Sequence, residues 1–248
     1  MSNSQNIYDN EEFFDGYRHL RENKNSANEV TEKPALRTLF PDLRGAAVLD
    51  LGCGYGENCA EFVSLGARRV VGVDISERML AAAKETYTDE KIEFVRGDMS
   101  DLSFIHDTFD VVFSSLAVHY VENFGRLAVE VADRLRPGGY FIFSQEHPLT
   151  TAPVSGASWT RDDSGEALHY NLTDYARSGE RQVNWIIDGV VKYHRTFSDI
   201  VNALLNAGFC IVRMLEPYPA PELTARDPRL KKCLHKPDFL LIKAQKRG

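Results

Sequence analysis

Three acidic residues recur at equal intervals, and they are the first groups in this sequence whose type and spacing suggest chemistry. Asp50, Asp74 and Asp98 are each separated from the next by the length of one strand and one helix. If the chain alternates in that way, the carboxylates lie at the carboxyl ends of neighbouring parallel strands, where open α/β sheets bind ligands. Such carboxylates suit a ligand that is cationic or rich in N–H and O–H donors.

A glycine turn follows the first acid. Gly52, Gly54 and Gly56 separate a short apolar run from a helical segment, so the backbone there can approach a ligand at a helix N-terminus. Nicotinamide-dependent oxidoreductases carry the fingerprint G-x-G-x-x-G, which needs a glycine where this chain has Glu57. A carboxylate there would repel a pyrophosphate. Such an oxidoreductase remains an alternative hypothesis, but a ligand without phosphate is favoured.

S-adenosylmethionine meets these requirements, because it carries an ammonium, a sulfonium, a ribose diol and an adenine amine and has no phosphate. An acid at the end of the second strand can accept both ribose hydroxyls, so we expect Asp74 to bind the ribose. We expect Asp98 to accept from the adenine amine. Asp50 is expected to order the glycine turn and to reach the ammonium, directly or through a water.

The hydrophobic pattern predicts the elements that position these groups. The predicted strands are residues 47–51, 69–74, 92–96, 109–114, 140–144, 209–215 and 238–244. The predicted helices are residues 34–40, 57–65, 77–87, 122–135 and 198–206. Strands that alternate with helices in this way predict a doubly wound α/β fold with a mostly parallel sheet that is covered on both faces.

The alternation is interrupted by a polar, aromatic-rich segment at 146–195. Within it, runs at 182–187 and 190–194 flank Asp188 and Gly189, which predicts a hairpin with a tight primed turn. We therefore predict one domain. Its parts are an N-terminal helical cap (1–44), a cofactor-binding half (45–145), a substrate-cap insertion after the fifth strand (146–195) and a C-terminal helix with strands (196–248).

Four segments, in order and spacing, resemble motifs of the class I S-adenosylmethionine-dependent methyltransferases. They are residues 48–56 (VLDLGCGYG), 72–76 (GVDIS), 97–102 (GDMSDL) and 135–141 (LRPGGYF). The resemblance spans residues 45–145. It implies a Rossmann-like sheet of seven strands whose last strand is antiparallel, and S-adenosylmethionine as cofactor with S-adenosylhomocysteine as product. These motifs specify the fold and the cofactor but no substrate.

The resemblance also implies cofactor contacts. These are Gly52, Gly54, Asp74, Asp98 and Met99, to which we add Asp50, Ile75 and Ser115 beside the same motifs. Outside the core, segments 114–120, 143–148 and 194–196 look similar to small bacterial methyltransferases of the UbiE or methyltransferase type 11 group. That similarity names no acceptor.

Methyl transfer depends mainly on holding the acceptor in line with an activated methyl group, and it needs a base only if the acceptor must lose a proton. His119 is our first candidate for a base or orienting group, because histidine titrates near working pH. Glu146, His147 and His194 are further catalytic candidates. Tyr8 is a candidate for lining the site, and the candidates for substrate contact are Tyr17, Tyr120, Arg195 and Tyr218.

Charge and composition bound the partners. The net charge of −7 disfavours a nucleic-acid substrate, and no apolar run reaches the roughly 18 residues of a membrane span. The four cysteines show no metal spacing, so we predict no metal and a cytoplasmic protein with reduced thiols. We expect a small organic acceptor, with O-, N- or C-methylation open, and a monomer or homodimer. A non-catalytic protein that binds S-adenosylmethionine would carry the same motifs and remains a third hypothesis.

Overall fold

The computed structural model describes residues 5–155 and 158–248. Its strands are β1 (Ala47–Leu51), β2 (Arg69–Asp74), β3 (Ile92–Arg96), β4 (Phe109–Ser114), β5 (Leu135–Glu146), β6 (Trp159–Arg161), β7 (Ala167–Tyr170), β8 (Gly179–Trp185), β9 (Ile187–His194), β10 (Phe209–Leu215) and β11 (Phe239–Lys246). Seven of them form one sheet in the order β10-β11-β5-β4-β1-β2-β3. β11 pairs antiparallel with both of its neighbours, and the other pairs are parallel. The predicted seven-stranded doubly wound sheet is confirmed.

Helices cover both faces of this sheet. They are α1 (Glu11–Glu22), α2 (Lys33–Arg37), α3 (Glu57–Ser64), α4 (Glu77–Thr86), α5 (Phe124–Arg134), α6 (Pro148–Thr151), α7 (Phe197–Asn206) and α8 (Pro221–Arg226). Local capping fixes several of their starts. Ser76 accepts a hydrogen bond from the Met79 amide at the start of α4, and Thr196 and Asp199 form a capping box for α7.

Outside the hairpin, two predicted bounds are wrong by three residues or more, and the other differences are of one or two residues. The helix predicted at 34–40 begins at Lys33 and ends at Arg37, and a π-helical turn, Asn28–Glu32, precedes it. β5 starts at Leu135 rather than at residue 140. Leu135 pairs with Phe109, and the register then shifts so that Tyr140 pairs with Val111, which leaves the proline–glycine–glycine segment as an irregular stretch within the strand.

Alternate residues of the central strands enter two separate apolar layers. Leu49 and Leu51 of β1 pack with α5 and α7, whereas Val48 packs against the side of the sheet that carries α3. All five residues of β1 are buried, as expected for a central parallel strand that is covered on both faces. This packing fixes the height of the strand tips, and therefore the position of the side chains that follow them.

The predicted hairpin is present as β8 and β9, but its predicted turn is wrong. Trp185 pairs with Ile187, so the chain reverses at Ile186, whose φ is +59°. Asp188 and Gly189 lie instead at a register shift inside β9, where Gly189 has a φ of +76°. A bulge of this kind uses the glycine in the same left-handed conformation that a tight turn would need, so the sequence signal resembles that of a turn.

An N-terminal segment packs against this hairpin. Ile7 and Phe13 form a small apolar cluster with Val190, and the ring centroid of Phe13 lies 5.4 Å from that of Trp185. A Cβ on Gly16 of α1 would lie 2.6 Å from a methyl of Ile186, so glycine allows the close approach. We call residues 5–22 together with the β8–β9 hairpin the cover, because they close one end of the sheet.

The described residues contain neither a membrane-spanning helix nor a cluster of metal-ligating side chains. No helix in residues 5–155 and 158–248 is long and apolar enough to cross a membrane. Within the same ranges, no group of histidine, cysteine, aspartate and glutamate residues could hold a metal ion.

Candidate functional site

A cavity of about 280 Å³ lies above the carboxyl ends of β1, β2 and β4, beneath the cover. Its lining includes nine of the residues predicted to contact cofactor or substrate: Tyr17, Gly52, Gly54, Asp74, Ile75, Asp98, Met99, Ser115 and Tyr120. These residues come from the glycine turn, the strand tips, the loop after β4 and α1. The folding of the chain therefore brings together groups that are far apart in sequence.

The glycine turn forms one wall of the cavity, and its backbone conformation and packing require glycine at Gly52 and Gly54. Gly52 and Gly54 have φ values of +74° and +54°, in the left-handed region that disfavours side chains. A Cβ on Gly52 would lie 2.5 Å from the Cβ of Ala117 and 3.0 Å from the terminal methyl of Met99. The turn therefore exposes backbone to the cavity without a side chain in the way.

Asp74 is tied into the same turn. One carboxylate oxygen accepts from the amide of Gly54 at 2.8 Å, and the other accepts from the amide of Ser76 at 2.9 Å. Burial raises the pKa of this carboxyl. A carboxylate has about four acceptor positions, so acceptor capacity remains for a diol. Its location in the cavity lining agrees with the predicted contact to ribose.

Asp98 and Met99 line the cavity at the end of β3. Asp98 accepts from the amide of Ser100 at 2.8 Å, which holds its carboxylate in a local turn. The side chain of Met99 packs against the apolar layer of α5 and reaches the wall beside Gly52. The pair therefore presents an acceptor and a polarisable apolar surface on one side of the cavity, as an adenine ring would require.

Asp50 does not line the cavity. It is fully buried, one of its oxygens is 3.4 Å from the thiol of Cys59, and the other has no hydrogen-bond partner among the described residues. Burial raises the pKa of this carboxyl to about 7. The equal spacing thus places only two of the three acids at the cavity. The predicted role of Asp50 toward the ammonium stays a prediction, and it needs an intervening group.

His119 is buried behind the cavity rather than in it. Its ring lies 4.4 Å, centroid to centroid, from that of Tyr120, which separates it from the lining. Burial lowers the pKa of the imidazole to about 4, so the ring is uncharged at neutral pH. Its Nδ1 has no hydrogen-bond partner in the described part of the chain. This position does not support a contact between His119 and the acceptor, and the role of His119 as a base stays a prediction.

Glu146 is also behind the lining. Its carboxylate pairs with the ammonium of Lys192 at 2.5 Å, and that ammonium lies 4.9 Å from the centre of the Trp185 ring. The pair links the end of β5 to the hairpin of the cover. A carboxylate engaged in a buried ion pair is not free to receive a proton from an acceptor, so the geometry does not support a catalytic role.

The other two predicted catalytic histidines have structural partners on both ring nitrogens. The Nδ1 of His147 accepts from the amide of Leu149 at the start of α6, and its Nε2 is 2.9 Å from a carboxylate oxygen of Glu216. The Nδ1 of His194 is 2.9 Å from the Thr151 hydroxyl, and its Nε2 is 2.9 Å from a backbone carbonyl. Both rings are fully or almost fully buried, so the geometry does not support a catalytic role for either histidine, and that role stays a prediction.

Two predicted substrate contacts also lie outside the cavity. Arg195 hydrogen-bonds the carbonyls of Val121 and Glu122 and lies 5.5 Å from the Phe124 ring, so it holds the loop after β4 to the hairpin. Tyr218 is 48% exposed and is not in the lining. Residue type alone does not distinguish a side chain that bonds to the protein itself, or to solvent, from one that contacts a ligand.

The structure adds site residues that sequence reasoning missed. Leu116 lines the cavity with a φ of +51°, and Glu32, from the π-helical turn, is fully buried and hydrogen-bonded to Ser115. Tyr193 of β9 lines the rim. Nothing in the spacing of the sequence singles out Glu32 from the other acids of the N-terminal segment. Only the long-range contact to Ser115 identifies it.

The cavity suits S-adenosylmethionine on grounds of shape and donor chemistry. A Cβ on Gly54 would meet no atom within 4 Å, so the turn leaves open space beside its backbone, whereas Gly52 allows Ala117 and Met99 to approach closely. Asp74 and Asp98 supply acceptors for a diol and an amine, and the buried oxygen of Asp50 beneath the turn lacks a partner among the described residues. Gly52, Gly54, Asp74 and Asp98 are therefore the residues that would hold the group.

Known proteins support this assignment. The family model of a methyltransferase domain matches residues 49–143. An S-adenosylmethionine-dependent methyltransferase from Mesorhizobium loti is 39% identical and has a TM-score of 0.81, over 89% of this chain and 98% of its own. A putative S-adenosylmethionine-dependent methyltransferase from Listeria monocytogenes is 37% identical with a TM-score of 0.80, over 87% and 96%. A Haemophilus influenzae protein, named only as uncharacterized, is 37% identical across 99% of both chains.

These similarities extend over nearly the whole chain rather than over the glycine turn alone, so they include the cover as well as the sheet. They agree with a cavity that lacks a pyrophosphate site and presents acceptors for a nucleoside. They leave no support for the nicotinamide-dependent alternative. The chain therefore belongs to the class I S-adenosylmethionine-dependent methyltransferases and is an enzyme that uses S-adenosylmethionine as its cofactor.

Proposed function

We propose that the enzyme methylates a small organic acceptor that is uncharged or cationic and is enclosed between the loop after β4 and the cover. The observation that carries this proposal is the composition of the cavity lining. It includes the side chains of Asp74, Asp98, Glu122 and Glu180 and, among the described residues, no lysine, arginine or histidine. The carboxylate of the cofactor is balanced by its own ammonium, but an acceptor that carries a carboxylate or phosphate group would lack a counter-charge in such a lining.

The order of strands along the sheet edge supports an orientation for the cofactor. The tips of β3, β2, β1 and β4 are neighbours in that order, and they carry Asp98, Asp74, Gly52 and Ser115. With adenine at Asp98 and ribose at Asp74, the methionine portion lies at the glycine turn and the β4 loop. When bound, the cofactor supplies a methyl group on a positively charged sulfur. The acceptor then belongs beside Ser115 and Tyr120.

Aromatic rings enclose that end of the cavity. Tyr8 lies edge-on to Tyr17 at 5.3 Å and to Tyr120 at 6.3 Å between ring centroids, and all three line the cavity. Such rings exclude water, hold an acceptor by its apolar parts and attract cations through their faces. They support positioning, the main contribution that methyl transfer requires of a protein.

The same tyrosines are poor bases. Burial raises the pKa of both Tyr8 and Tyr120, so their hydroxyls stay protonated at neutral pH. The carboxylates of Glu122 and Glu180 stand at the rim, near Tyr193. An acceptor that already presents a lone pair, such as a neutral amine, fits this site better than one that must first be deprotonated inside it.

The partner and location predictions belong to this proposal. We propose a small-molecule acceptor rather than a nucleic acid, a monomer or homodimer, and a cytoplasmic location. The free state of Cys53, Cys59, Cys210 and Cys233 supports a reducing compartment.

A labelling screen tests the proposal. The protein is incubated with methyl-labelled S-adenosylmethionine and metabolite extract that has been separated into cationic, neutral and anionic fractions. We expect protein-dependent label in a small product from the cationic or neutral fraction, and no label with the Asp74→Ala variant. Label that appears only with the anionic fraction, or only in macromolecules, would contradict the proposal. Cofactor binding without label in any fraction would contradict the proposed class of acceptor.

A further inference from the structure

Glu32 is a buried carboxylate that the roles given so far do not use. It ends the π-helical turn Asn28–Glu32, and its side chain reaches from this N-terminal turn to the ends of β4 and β5. One oxygen, Oε1, accepts from the hydroxyl of Ser115 at 2.9 Å and also from the hydroxyl of Ser144. The other, Oε2, is buried and has no hydrogen-bond partner among residues 5–155 and 158–248.

The two serines connect Glu32 to a strained position in the cavity wall. The amide of Leu116 donates to the hydroxyl of Ser144 at 3.0 Å and lies 3.1 Å from its carbonyl oxygen. Leu116 has a φ of +51°, a conformation that costs a residue other than glycine about 1 kcal/mol. Glu32 and Ser144 therefore help to hold a conformation that the loop would otherwise leave, and that loop carries Ser115 and Ala117 in the cavity lining.

The direction of these hydrogen bonds determines what the loop offers to a ligand. A serine hydroxyl has one proton, and Ser115 gives its proton to Glu32. Toward the cavity, Ser115 can therefore only accept a hydrogen bond. A nearby carboxylate strengthens that acceptor. The complementary ligand group is a positively charged N–H donor.

The cations near Glu32 are already engaged elsewhere. Lys33 pairs with Glu29 at 2.6 Å and with Glu57 at 2.8 Å, and Arg21 pairs with Glu57. Burial raises the pKa of the Glu32 carboxyl, although the serine hydrogen bonds and these cations oppose the shift. A cationic ligand at Ser115 would be an additional source of stabilisation for the charged form.

We propose that Glu32 is a cofactor-positioning residue, which acts through Ser115 and Ser144 to fix the β4 loop and to direct an acceptor toward the α-ammonium of the cofactor. The N-terminal π-helical turn is then part of the amino-acid end of the cofactor site. The proposal rests on the cofactor orientation given under the proposed function, with the methionine portion at β4.

Two ligands that differ only at the amino-acid end provide the test. S-adenosylhomocysteine carries the ammonium and carboxylate, and 5′-methylthioadenosine keeps the nucleoside and sulfur but lacks both. Calorimetry measures both affinities for the wild type, Glu32→Gln, Ser115→Ala and Glu61→Gln. Glu61→Gln is the matched control, because Glu61 also ties the N-terminal region to the core, through Arg37 at 2.6 Å, but lies away from the β4 loop.

We expect Glu32→Gln and Ser115→Ala each to weaken S-adenosylhomocysteine by about tenfold, as for the loss of one charge-assisted hydrogen bond, and to change 5′-methylthioadenosine by less than about twofold. Glu61→Gln should change neither. An equal loss for both ligands would assign Glu32 to the fold alone and overturn the proposal. So would an unchanged affinity in Glu32→Gln. If Glu32→Gln does not fold, as judged by its melting curve, Glu32→Asp replaces it under the same criteria.

The measurement needs no acceptor, so it separates this proposal from the proposed function. A screen that finds no methylated product, together with a selective loss in Glu32→Gln, would leave the role of Glu32 standing. If the screen finds a labelled product but Glu32→Gln shows no selective loss of S-adenosylhomocysteine affinity, the role of Glu32 is overturned and the proposed methyl transfer stands.

Discussion

The strand tips and the cover line the same cavity, but the positions of their side chains are determined in different ways. At the tips of β1 to β3, the position of each polar side chain follows from local alternation of strand and helix, and Asp74 and Asp98 reach the cavity as the spacing predicts. In the cover and the segments bonded to it, His147 and His194 turn away to long-range partners. The cofactor contacts at the strand tips are therefore encoded locally in this chain, whereas the contacts of the cover and of the loop after β4 depend on tertiary packing.

The largest effect is expected for Asp50, the acid that is at a strand tip but not in the cavity. The pKa of Asp50 is about 7 in the folded protein and 3.8 in an unperturbed carboxyl, so the folded protein binds a proton that the unfolded chain releases. The contribution of this proton to the free energy of unfolding is complete below about pH 4 and is lost as the pH rises through 7. Relative to Asp50→Asn, the wild type should lose about 3 kcal/mol of unfolding free energy between about pH 5 and pH 8.

Urea denaturation at a series of pH values measures this difference. The exposed Asp42→Asn variant is the control, because hydrogen bonds from Arg44 lower the pKa of Asp42 to about 2 and leave nothing to titrate in that range. If the free energies of unfolding of the wild type and Asp50→Asn change with pH in parallel, Asp50 is already ionised in the folded protein at about pH 5. Burial would then not raise its pKa.

Gly52→Ala should produce the next largest effect. The new Cβ would meet Ala117, so we expect an affinity loss for S-adenosylhomocysteine of about a hundredfold, from overpacking of up to about 3 kcal/mol. Gly45→Ala is a matched control, since Gly45 has the same φ of +74° and no atom within 4 Å of its added Cβ. Calorimetry on both variants separates backbone strain from obstruction. Equal affinities would show that the cavity wall yields at Gly52.

Asp74→Asn should weaken S-adenosylhomocysteine by about tenfold to a hundredfold, because it removes the charge that strengthens hydrogen bonds to the ribose. Asp110→Asn is the control. Asp110 also accepts from a backbone amide, that of Ala47 at 2.8 Å, but at the opposite end of the sheet. A loss of affinity in Asp110→Asn that matched Asp74→Asn would mean that both acids act only through the fold.

The smallest effect is expected for His119→Gln, which tests the cover side of the comparison. General bases contribute about a hundredfold to ten-thousandfold to a rate. Because His119 is neutral and separated from the cavity by Tyr120, we expect the initial rate of label transfer to the active extract fraction to change by less than about threefold. A loss of a hundredfold with unchanged cofactor affinity would restore His119 as the base.

Much of the fold is predictable from the sequence because its determinants are local. The bounds of β1 to β4 agree with the predicted runs, since buried parallel strands are short apolar segments between glycine or polar turns. The turn at Ile186 was not predictable, because Asp188 and Gly189 carry the stronger turn signal and a bulge uses the same glycine conformation.

The candidate site divides in the same way. Gly52 and Asp74 are identified by spacing, whereas Glu32 requires contacts with Ser115 and Ser144, which are 83 and 112 residues away in the sequence. Arg195 is the opposite case: its charge suggests a contact with a ligand, but in the fold its guanidinium donates hydrogen bonds to two backbone carbonyls instead. A residue type states which bonds are possible, but the partner that takes them is decided by the assembled fold.

The sign of charge in the cavity lining has one more consequence, which concerns competition inside a cell. Adenine nucleotides such as ATP share the adenosine of the methyl donor and differ mainly by carrying a negative chain where the donor carries a positive sulfur. Asp74 and Asp98 can accept from the adenosine of either molecule, but the lining offers no cation to a triphosphate among the described residues. We therefore expect electrostatic repulsion from these carboxylates to weaken the binding of ATP relative to that of S-adenosylmethionine.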